Sequence, residues 1–369
     1  MSAPAALQEI DWAFESSVVR DLTHNLHPWP AKFIPAIPAA AIKALSKPND
    51  LVLDPFGGCG TTAVEAIRRG RRARSTDVNP LAVQITKAKC FAPTPPESAE
   101  ILAWAATLRV VAPTQRLLDA APAIPKREYW FSKASIAELA YLLQQIRKLG
   151  VAQDFLEVVF AAIIVQVSRQ ESETRYRRIE REVSAAEVLA RFRKRLATSL
   201  AMAEDLGRAL KGVSRQALIE CADARALDTV PDDTVDLAVF SPPYPNAFDY
   251  HLYHRFRLFW LGHDPRPLKH LEIGAHLRYE GAAEWAHDMG QVFGEIQRVL
   301  RPGAHALAVV GDGLARGKII HSPDILCTLA NDHGLELRWR TTRPVVASRR
   351  SFNLSDSRLR TEQILVFAK

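Results

Sequence analysis

Four consecutive residues, Ser241-Pro242-Pro243-Tyr244, combine the side chains best suited to chemistry in this sequence. They follow residues 235–240, an apolar run that is typical of a buried strand. Two consecutive prolines cannot continue a hydrogen-bonded ladder, so the strand must end there. The sequence therefore places a hydroxyl group, a rigid backbone and an aromatic ring at the carboxyl end of a strand, where open α/β sheets bind ligands.

The chemistry that suits this corner is methyl transfer to an exocyclic amine. The Ser241 side chain and the Pro242 carbonyl can both accept hydrogen bonds from an NH2 group, and the prolines fix their geometry before a substrate arrives. Tyr244 offers a flat face on which an extruded base can stack. The alternative is a Pro-Pro turn beside a core tyrosine, and the tetrapeptide alone does not decide, because short motifs recur by chance.

A glycine-rich turn upstream predicts a binding site for a cofactor. The apolar run 51–54 ends in Asp54, and a helix is predicted from Thr61 to about residue 69. The glycines between them let the backbone approach a ligand and expose the N–H groups of the helix. The spacing of Gly58 and Gly60 lacks the third glycine of a dinucleotide site, and Asp54 would repel a phosphate. S-adenosylmethionine, a sulfonium with an α-amino group, fits this turn, and a generic strand–helix connection is the alternative.

Two further acidic residues are predicted at strand ends. Asp77 is placed to accept hydrogen bonds from ribose hydroxyls, since Asn79 and Pro80 can begin the next helix in its stead. Asp223, at the end of a strand that begins near residue 217, could accept from an adenine amino group or cap the next turn.

A stiff, proline-rich loop at residues 24–35 precedes the first predicted helix, at 36–46. Its prolines exclude a helix, and its histidine, tryptophan, lysine and phenylalanine suit a ligand wall. Packing of Trp29 and Phe33 on the core is the equally weighted alternative.

The middle of the chain is predicted to be helical. Residues 92–96 form a linker-like break, and helical patterns follow at 133–149, 153–167 and 184–210. A cluster between these helices could grip a nucleic-acid backbone and stack on a base. Its members are Arg169, Arg175, Tyr176, Arg177 and Arg178. The alternative is a solvated face on which these arginines pair with Glu171, Glu173, Glu180 and Glu182.

The α/β pattern then resumes to the end of the sequence. Helices are predicted at 252–261, 284–300 and 322–333, and strands at 304–310 and 362–367. The aromatic stripe of 252–261 is interpreted as core. We therefore predict a cofactor-binding half at 20–91, a helical insertion at 92–214 and a catalytic half at 215–369.

Composition sets limits on the class of protein. The 369 residues are 48% hydrophobic and 24% charged, which is typical of a globular protein. A net charge of +7 permits a polyanionic partner without requiring one. The four cysteines have neither metal-ligand nor redox spacing, so we expect reduced thiols, a cytoplasmic location and no metal site. The sequence shows no apolar run long enough to cross a membrane and no signal peptide at its start.

Taken together, these motifs resemble those of the amino-group DNA methyltransferases, which modify N4 of cytosine or N6 of adenine. The resemblance covers roughly residues 24–90 and 217–369. It implies an α/β fold, with a Rossmann-like class I methyltransferase sheet, helices on both faces and a helical insertion. It implies S-adenosyl-L-methionine as cofactor, with Ser241, Pro242, Pro243 and Tyr244 as catalytic residues. The implied cofactor-binding residues are His27, Pro28, Ala31, Lys32, Phe33, Asp54, Pro55, Phe56, Gly58, Gly60, Thr61, Asp77, Asn79 and Asp223.

The resemblance further implies base flipping, followed by direct attack of the amine on the sulfonium methyl without a covalent enzyme–base adduct. Serine at position 241 favours N4 of cytosine over N6 of adenine; methylation of RNA or of a protein amide, and binding without catalysis, are the competing interpretations. The expected partner is double-stranded DNA, a restriction endonuclease partner is compatible with this class, and the chain would act as a monomer or a homodimer. Candidate segments for reading the DNA sequence are 126–180, 245–285 and 340–360.

Overall fold

The structure is a computed structural model that describes residues 5–15, 21–32, 34–212, 216–245, 248–275, 282–315, 318–345 and 361–369. Within these ranges one seven-stranded sheet organises the chain, and a short hairpin, β6–β7, stands apart from it. The strands are β1 (Leu51–Asp54), β2 (Arg72–Asp77), β3 (Ala217–Cys221), β4 (Val235–Phe240), β5 (Leu300–Gly311), β6 (Gly313–Ala315), β7 (Lys318–Ile320), β8 (Glu336–Pro344) and β9 (Thr361–Ala368).

Helices cover the sheet and form the middle of the chain. They are α1 (Ala5–Gln8), α2 (Ala36–Leu45), α3 (Thr61–Arg68), α4 (Pro80–Cys90), α5 (Pro95–Thr107), α6 (Gln115–Ala120), α7 (Arg127–Trp130), α8 (Lys133–Leu149), α9 (Gln153–Ile163), α10 (Ala185–Ala209), α11 (Tyr250–Tyr253), α12 (Arg255–Leu261), α13 (Leu268–Leu271), α14 (Ala282–Val299) and α15 (Ser322–Asp332). Short 3₁₀ turns lie at Leu22–Asn25 and Val165–Val167. Among the residues that the structure describes, no helix has the length and apolar character that crossing a membrane requires.

The strand order is β3-β2-β1-β4-β5-β9-β8. Strands β1 to β5 pair in parallel, while β9 runs antiparallel to both β5 and β8. The order reverses between β1 and β4, so the crevice outside their carboxyl ends is the topological switch point, where such sheets bind ligands. This sheet, with helices on both faces, confirms the predicted Rossmann-like fold class.

Alternate residues of the central strands enter two separate cores. Val52 of β1 and Leu237 of β4 pack on one face with α2 and α3, whereas Leu53 and Ala238 pack on the other face with α14. Both faces are therefore buried, which explains why residues 51–53 and 235–240 read as apolar runs with little alternation.

The helical middle does not form an isolated core. Buried residues of α8, α9 and α10 share one hydrophobic cluster with Leu81 and Ile85 of α4 and with Trp260 of α12. The predicted helices 133–149 and 184–210 correspond to α8 and to α10, which Ser184 caps at its amino end. The predicted helix 153–167 is shorter, since α9 ends at Ile163 before a 3₁₀ turn.

Further elements also differ from what the sequence predicted. Strand β3 ends at Cys221, so Asp223 lies in the following turn, and the predicted helix 252–261 is interrupted at His254 between α11 and α12. Strand β8 was not predicted, because it is half exposed and arginine-rich at its solvent side, which masks the strand pattern.

Candidate active site

The glycine-rich turn lies at the carboxyl end of β1 and leads into α3. Gly57 donates its N–H to the carbonyl of Thr76 at 2.8 Å, and any Cβ at this position would overlap the buried Ser75 hydroxyl. Gly60, with φ of 76°, adopts the left-handed conformation and precedes Thr61, the first residue of α3. These glycines hold the turn against the end of β2 and against α4, and their predicted role in ligand binding stays a prediction.

Asp77 connects this turn to the end of β2. Its Oδ2 accepts from the N–H of Gly58 and its Oδ1 from the N–H of Asn79, both at 2.8 Å. Burial raises the pKa of the Asp77 carboxyl to about 6, against these two backbone hydrogen bonds. Each oxygen retains a second lone pair, and the side chain is only half-buried. The carboxylate can therefore accept from two further donors, such as the two hydroxyls of a ribose.

Asn79 caps the amino end of α4, which was the alternative role that the sequence suggested for Asp77. Its side chain accepts from the N–H of Leu81 at 3.0 Å, and Pro80 follows as the first residue of α4.

Asp54 is the most deeply buried acid of the turn, with 2% of its surface exposed. Its Oδ1 accepts from the N–H of Phe56 at 3.0 Å, and the Thr62 hydroxyl also contacts it. Burial raises the pKa of the Asp54 carboxyl to about 7, and the negative charge of Asp77 adds to this shift. A cationic ligand group beside Asp54 would restore its ionised form.

The residues after Asp54 bind the turn to its surroundings. The Pro55 carbonyl accepts from the Thr76 hydroxyl at 3.2 Å, and the Phe56 ring lies 6.1 Å from that of Phe240, centroid to centroid. Phe240 is the last residue of β4, so the turn and the Ser241–Tyr244 corner are neighbours.

The stiff loop covers the glycine turn with an aromatic stack. The Trp29 ring lies 4.4 Å from that of His254 and 5.4 Å from that of Tyr250, at interplanar angles of 27° and 20°. A Cβ at Gly58 would be 3.5 Å from the indole nitrogen of Trp29. This stack joins the loop, the turn and the α11–α12 segment. Trp29 also packs against the hydrophobic cluster of the helical middle, which agrees with the core-packing alternative, and a ligand wall at this loop stays a prediction.

His27 lies under this stack, and its Nδ1 is 2.7 Å from the Pro28 carbonyl. Burial lowers the pKa of both His27 and His254 well below the usual range, with the Arg257 charge acting in the same direction. Both rings are therefore neutral, and a neutral His27 donates from Nδ1 to Pro28.

The structure also places two of the remaining residues predicted in this loop. Ala31 has a positive φ of 52°, and the Lys32 ammonium donates to the His24 carbonyl at 2.9 Å. Phe33 lies outside the described residues.

The Ser241–Tyr244 corner stands on the other side of the switch point. The Ser241 hydroxyl donates to the Val309 carbonyl at 2.9 Å, and the Trp285 indole donates to the Pro243 carbonyl, also at 2.9 Å. Because its proton is used on Val309, Ser241 Oγ presents lone pairs to an incoming donor. No described residue donates to the Pro242 carbonyl. The Ser241 hydroxyl also contacts the Tyr244 phenol. The role of Ser241 and Pro242 as acceptors for an amine stays a prediction.

Tyr244 is held through its hydroxyl group. The phenol donates to Glu362 Oε1 at 3.1 Å, and the other oxygen of Glu362 pairs with Arg343. Burial raises the pKa of Tyr244 well above its usual range, and the Glu362 charge adds to this shift. The neutral phenol donates its proton to Glu362 of β9, so this contact helps to orient the Tyr244 ring.

Asp223 is engaged by a neighbouring cation. It forms an ion pair with Arg225 at 2.6 Å, and Arg225 also reaches Asp288 at 2.9 Å. Asp223 Oδ1 accepts from the N–H of Arg225 at 2.9 Å, which is the turn-capping role weighed as the alternative. Its contact with an adenine amino group stays a prediction.

The predicted nucleic-acid cluster forms ion pairs with three of the four glutamates that its alternative interpretation named, whereas Glu173 pairs with Arg257. Arg175 and Arg177 reach Glu171 at 3.0 and 3.2 Å, Arg169 pairs with Glu182, and Arg178 pairs with Glu180. A nucleic-acid role for these residues stays a prediction.

Sequence reasoning weighed Trp29 as part of a ligand wall but did not place Tyr250, His254, Trp285 or Glu362 at the site. Tyr250 and His254 are four residues apart, which places them on one side of a helical segment, but His254 fell within the stripe 252–261 that was interpreted as core. No local pattern marks Glu362, because its partner Tyr244 is distant in sequence.

The strand order, the glycine turn and the acids at the switch point define a Rossmann-like methyltransferase architecture. Residues 6–88 match the family model N6_N4_Mtase, which describes a DNA methylase. The chain is 26% identical over 257 residues to the Type II methyltransferase M.MvaI of Kocuria varians, covering 63% of this chain and 56% of that protein. It is 31% identical over 86 residues to the Type II methyltransferase M.MjaII of Methanocaldococcus jannaschii, covering 22% of this chain and 16% of that protein.

A solved structure of an S-adenosylmethionine-dependent methyltransferase from Methanosarcina mazei aligns with a TM-score of 0.37 at 12% identity, covering 89% of this chain and 96% of that one. Among the two curated relatives, the chain spans about half the length of M.MvaI and a smaller part of M.MjaII. The family match and the M.MvaI alignment confirm the resemblance to the amino-group DNA methyltransferases. The match to a DNA methylase model agrees with S-adenosylmethionine as the cofactor.

Proposed function

We propose that this chain transfers a methyl group from S-adenosylmethionine to the exocyclic amine of a flipped base in double-stranded DNA, with N4 of cytosine as the favoured target. The observation that carries the proposal is the position of two groups of residues across one switch point. Leu53 of β1 pairs with Ala238 of β4, so the Asp54 turn and the Ser241 corner begin side by side.

The residues on the β1 and β2 side fit the cofactor. When bound, S-adenosylmethionine supplies an electrophilic methyl group on a positively charged sulfur. The open lone pairs of Asp77 suit its ribose hydroxyls, and the buried Asp54 carboxyl suits its cationic portion. Gly58 and Gly60 both have a positive φ, which lets the turn lead from the end of β1 into the amino end of α3.

The residues on the β4 side suit the target amine. Ser241 Oγ and the Pro242 carbonyl accept its two hydrogens, which directs the nitrogen lone pair across the crevice. Tyr244, fixed by Glu362, offers its ring to the extruded base. The account needs neither a nucleophilic side chain nor a covalent intermediate.

The choice of base rests on the resemblance, in which serine at position 241 favours N4 of cytosine. N6 of adenine is the second candidate, because the same two acceptors serve either amine. RNA and protein amides are less favoured alternatives.

The test compares Tyr244→Ala with Tyr244→Phe and the wild-type chain in methyl transfer and in cofactor binding. Tyr244→Ala should lose methyl transfer to unmethylated DNA while it retains its affinity for S-adenosylmethionine, and Tyr244→Phe should keep substantial transfer because the ring remains. Full activity of Tyr244→Ala would show that the catalytic assignment is wrong. The identity of the methylated nucleoside decides between cytosine and adenine.

A further inference from the structure

A second feature borders the candidate active site on the outer side of α12. His254 stacks on Trp29, whereas Arg255, the next residue, points to a different set of rings. Its guanidinium carbon lies 5.0 Å from the ring centroid of Trp130, 4.9 Å from that of Tyr176 and 4.6 Å from that of Phe256. These rings therefore surround the side chain of the residue that follows His254.

Among the described residues, no carboxylate forms an ion pair with the Arg255 guanidinium. Its Nε and Nη2 are buried and have no hydrogen-bond partner among those residues. By contrast, the neighbouring Arg257 is paired with both oxygens of Glu173 at 2.7 Å. Aromatic faces attract a cation but leave its hydrogen-bond donors unsatisfied. An anion from outside the chain would compensate this charge.

Exposed aromatic rings stand beside this cation. Tyr176 is 39% and Tyr129 is 49% exposed, which is unusual for large rings, and Arg178 lies 4.9 Å from the centre of the Tyr129 ring. Flat rings interleaved with guanidinium groups match the alternating bases and phosphates of a nucleic-acid strand.

Tyr176 is linked to the aromatic stack through Arg255. The Arg255 guanidinium carbon lies 4.9 Å from the centroid of the Tyr176 ring, and Arg255 directly follows His254, which stacks on Trp29. The exposed rings are therefore connected to the candidate active site through a single residue.

We propose that Tyr129, Trp130, Tyr176, Arg178 and Arg255 form an aromatic–arginine platform that binds the DNA strand next to the flipped nucleotide. Extrusion of one base exposes the face of its neighbour, which stacks on Tyr176, while the strand's phosphates compensate the charge of Arg255. The inference rests on the proposed function and extends it, since Tyr129, Trp130 and Arg255 lie in candidate DNA-reading segments but were not named as individual contacts. Arg169 is outside the platform.

The test uses the full chain and a fluorescently labelled duplex taken from DNA that the wild-type chain methylates. Tyr176→Ala should weaken binding by about 5- to 150-fold, the range that corresponds to loss of one stacked base. Tyr176→Phe, which keeps the ring, should bind within about threefold of the wild type. Leu102→Ala, which removes an exposed apolar side chain on α5, is the matched control and should bind as the wild type does.

The salt dependence of binding tests the charged part of the platform. Arg178→Ala should lower the slope of log affinity against log salt by about 1, whereas Arg208→Ala, an exposed arginine of α10, should leave it unchanged. Unfolding temperatures confirm that each variant is folded.

The outcomes separate the two proposals. Methylation of DNA by the wild type, together with unchanged binding by Tyr176→Ala, would overturn the platform alone. A folded wild-type chain that methylates no DNA would overturn the proposed function, and the platform with it. Tighter binding of a matched RNA duplex than of DNA would likewise contradict the platform's assignment.

Discussion

Replacement of Asp77 by asparagine tests the cofactor side of the site. In the structure each carboxylate oxygen accepts one backbone N–H at 2.8 Å and keeps one lone pair for a ribose hydroxyl. Asparagine keeps one oxygen but presents an NH2 group in place of the other, so one charge-assisted hydrogen bond to the ribose is lost. Such a bond contributes about 1.5–3 kcal/mol, which corresponds to roughly 10- to 150-fold weaker binding of S-adenosylmethionine.

Isothermal titration calorimetry with S-adenosylmethionine measures this change, and Asp236→Asn provides a matched control. Asp236 also accepts a backbone N–H, from Leu51 at 2.7 Å, and pairs with Arg301, but it lies near the amino end of β4. Both variants should lower the unfolding temperature, while only Asp77→Asn should weaken cofactor binding. Equal cofactor affinity of Asp77→Asn and the wild type would refute the assigned role.

The pH dependence of cofactor binding gives the same residue a second test. In the chain without cofactor, burial raises the pKa of the Asp77 carboxyl to about 6. Ribose hydroxyls that donate to the ionised form lower this pKa in the complex, so the contribution of Asp77 to the affinity is complete above about pH 6 and falls as the pH drops below that value. Asp77→Asn should remove this component of the pH profile.

Three further variants examine the surrounding residues. Burial raises the pKa of Asp54 to about 7, so this carboxyl is half protonated at neutral pH, and binding of the cationic cofactor at pH 7 should release about half a proton. Calorimetry in two buffers of different ionisation enthalpy measures the number of protons released. Asp54→Asn should abolish this proton release. Gly57→Ala should destabilise the fold by about 1–3 kcal/mol in denaturant unfolding because its Cβ overlaps the Ser75 hydroxyl, and recovery in the double variant with Ser75→Ala would support that cause. Glu362→Gln should lower kcat and change the KM for S-adenosylmethionine less, because it weakens the hydrogen bond that holds the Tyr244 hydroxyl. If Glu362→Gln lowered kcat equally in a Tyr244→Phe background, Glu362 would not act through that hydroxyl.

Local patterns predicted the central part of this fold. Strands β1 and β4 were predicted with the bounds that the structure shows, because both of their faces are buried and their apolar residues run almost without interruption. The turn after Asp54 and the cap at Asn79 were likewise readable, since glycine and Asn-Pro act through their own backbone geometry.

Contacts between distant segments were not readable in the same way. Trp29 meets Tyr250 and His254 only after the sheet has brought two loops together, and Glu362 reaches Tyr244 from the last strand. The charged segment at 168–178 admitted two interpretations because composition does not reveal which arginines find a glutamate. The structure shows these pairs, and it shows Arg255 enclosed by aromatic rings.

The most direct test of the central claim is the transfer of tritiated methyl groups from S-adenosylmethionine to unmethylated genomic DNA, with the product nucleosides identified by mass spectrometry. The account predicts labelled DNA that contains 4-methylcytosine. A 6-methyladenine product would keep the mechanism and correct the inference from Ser241. Label that enters RNA or protein but not DNA would contradict the account.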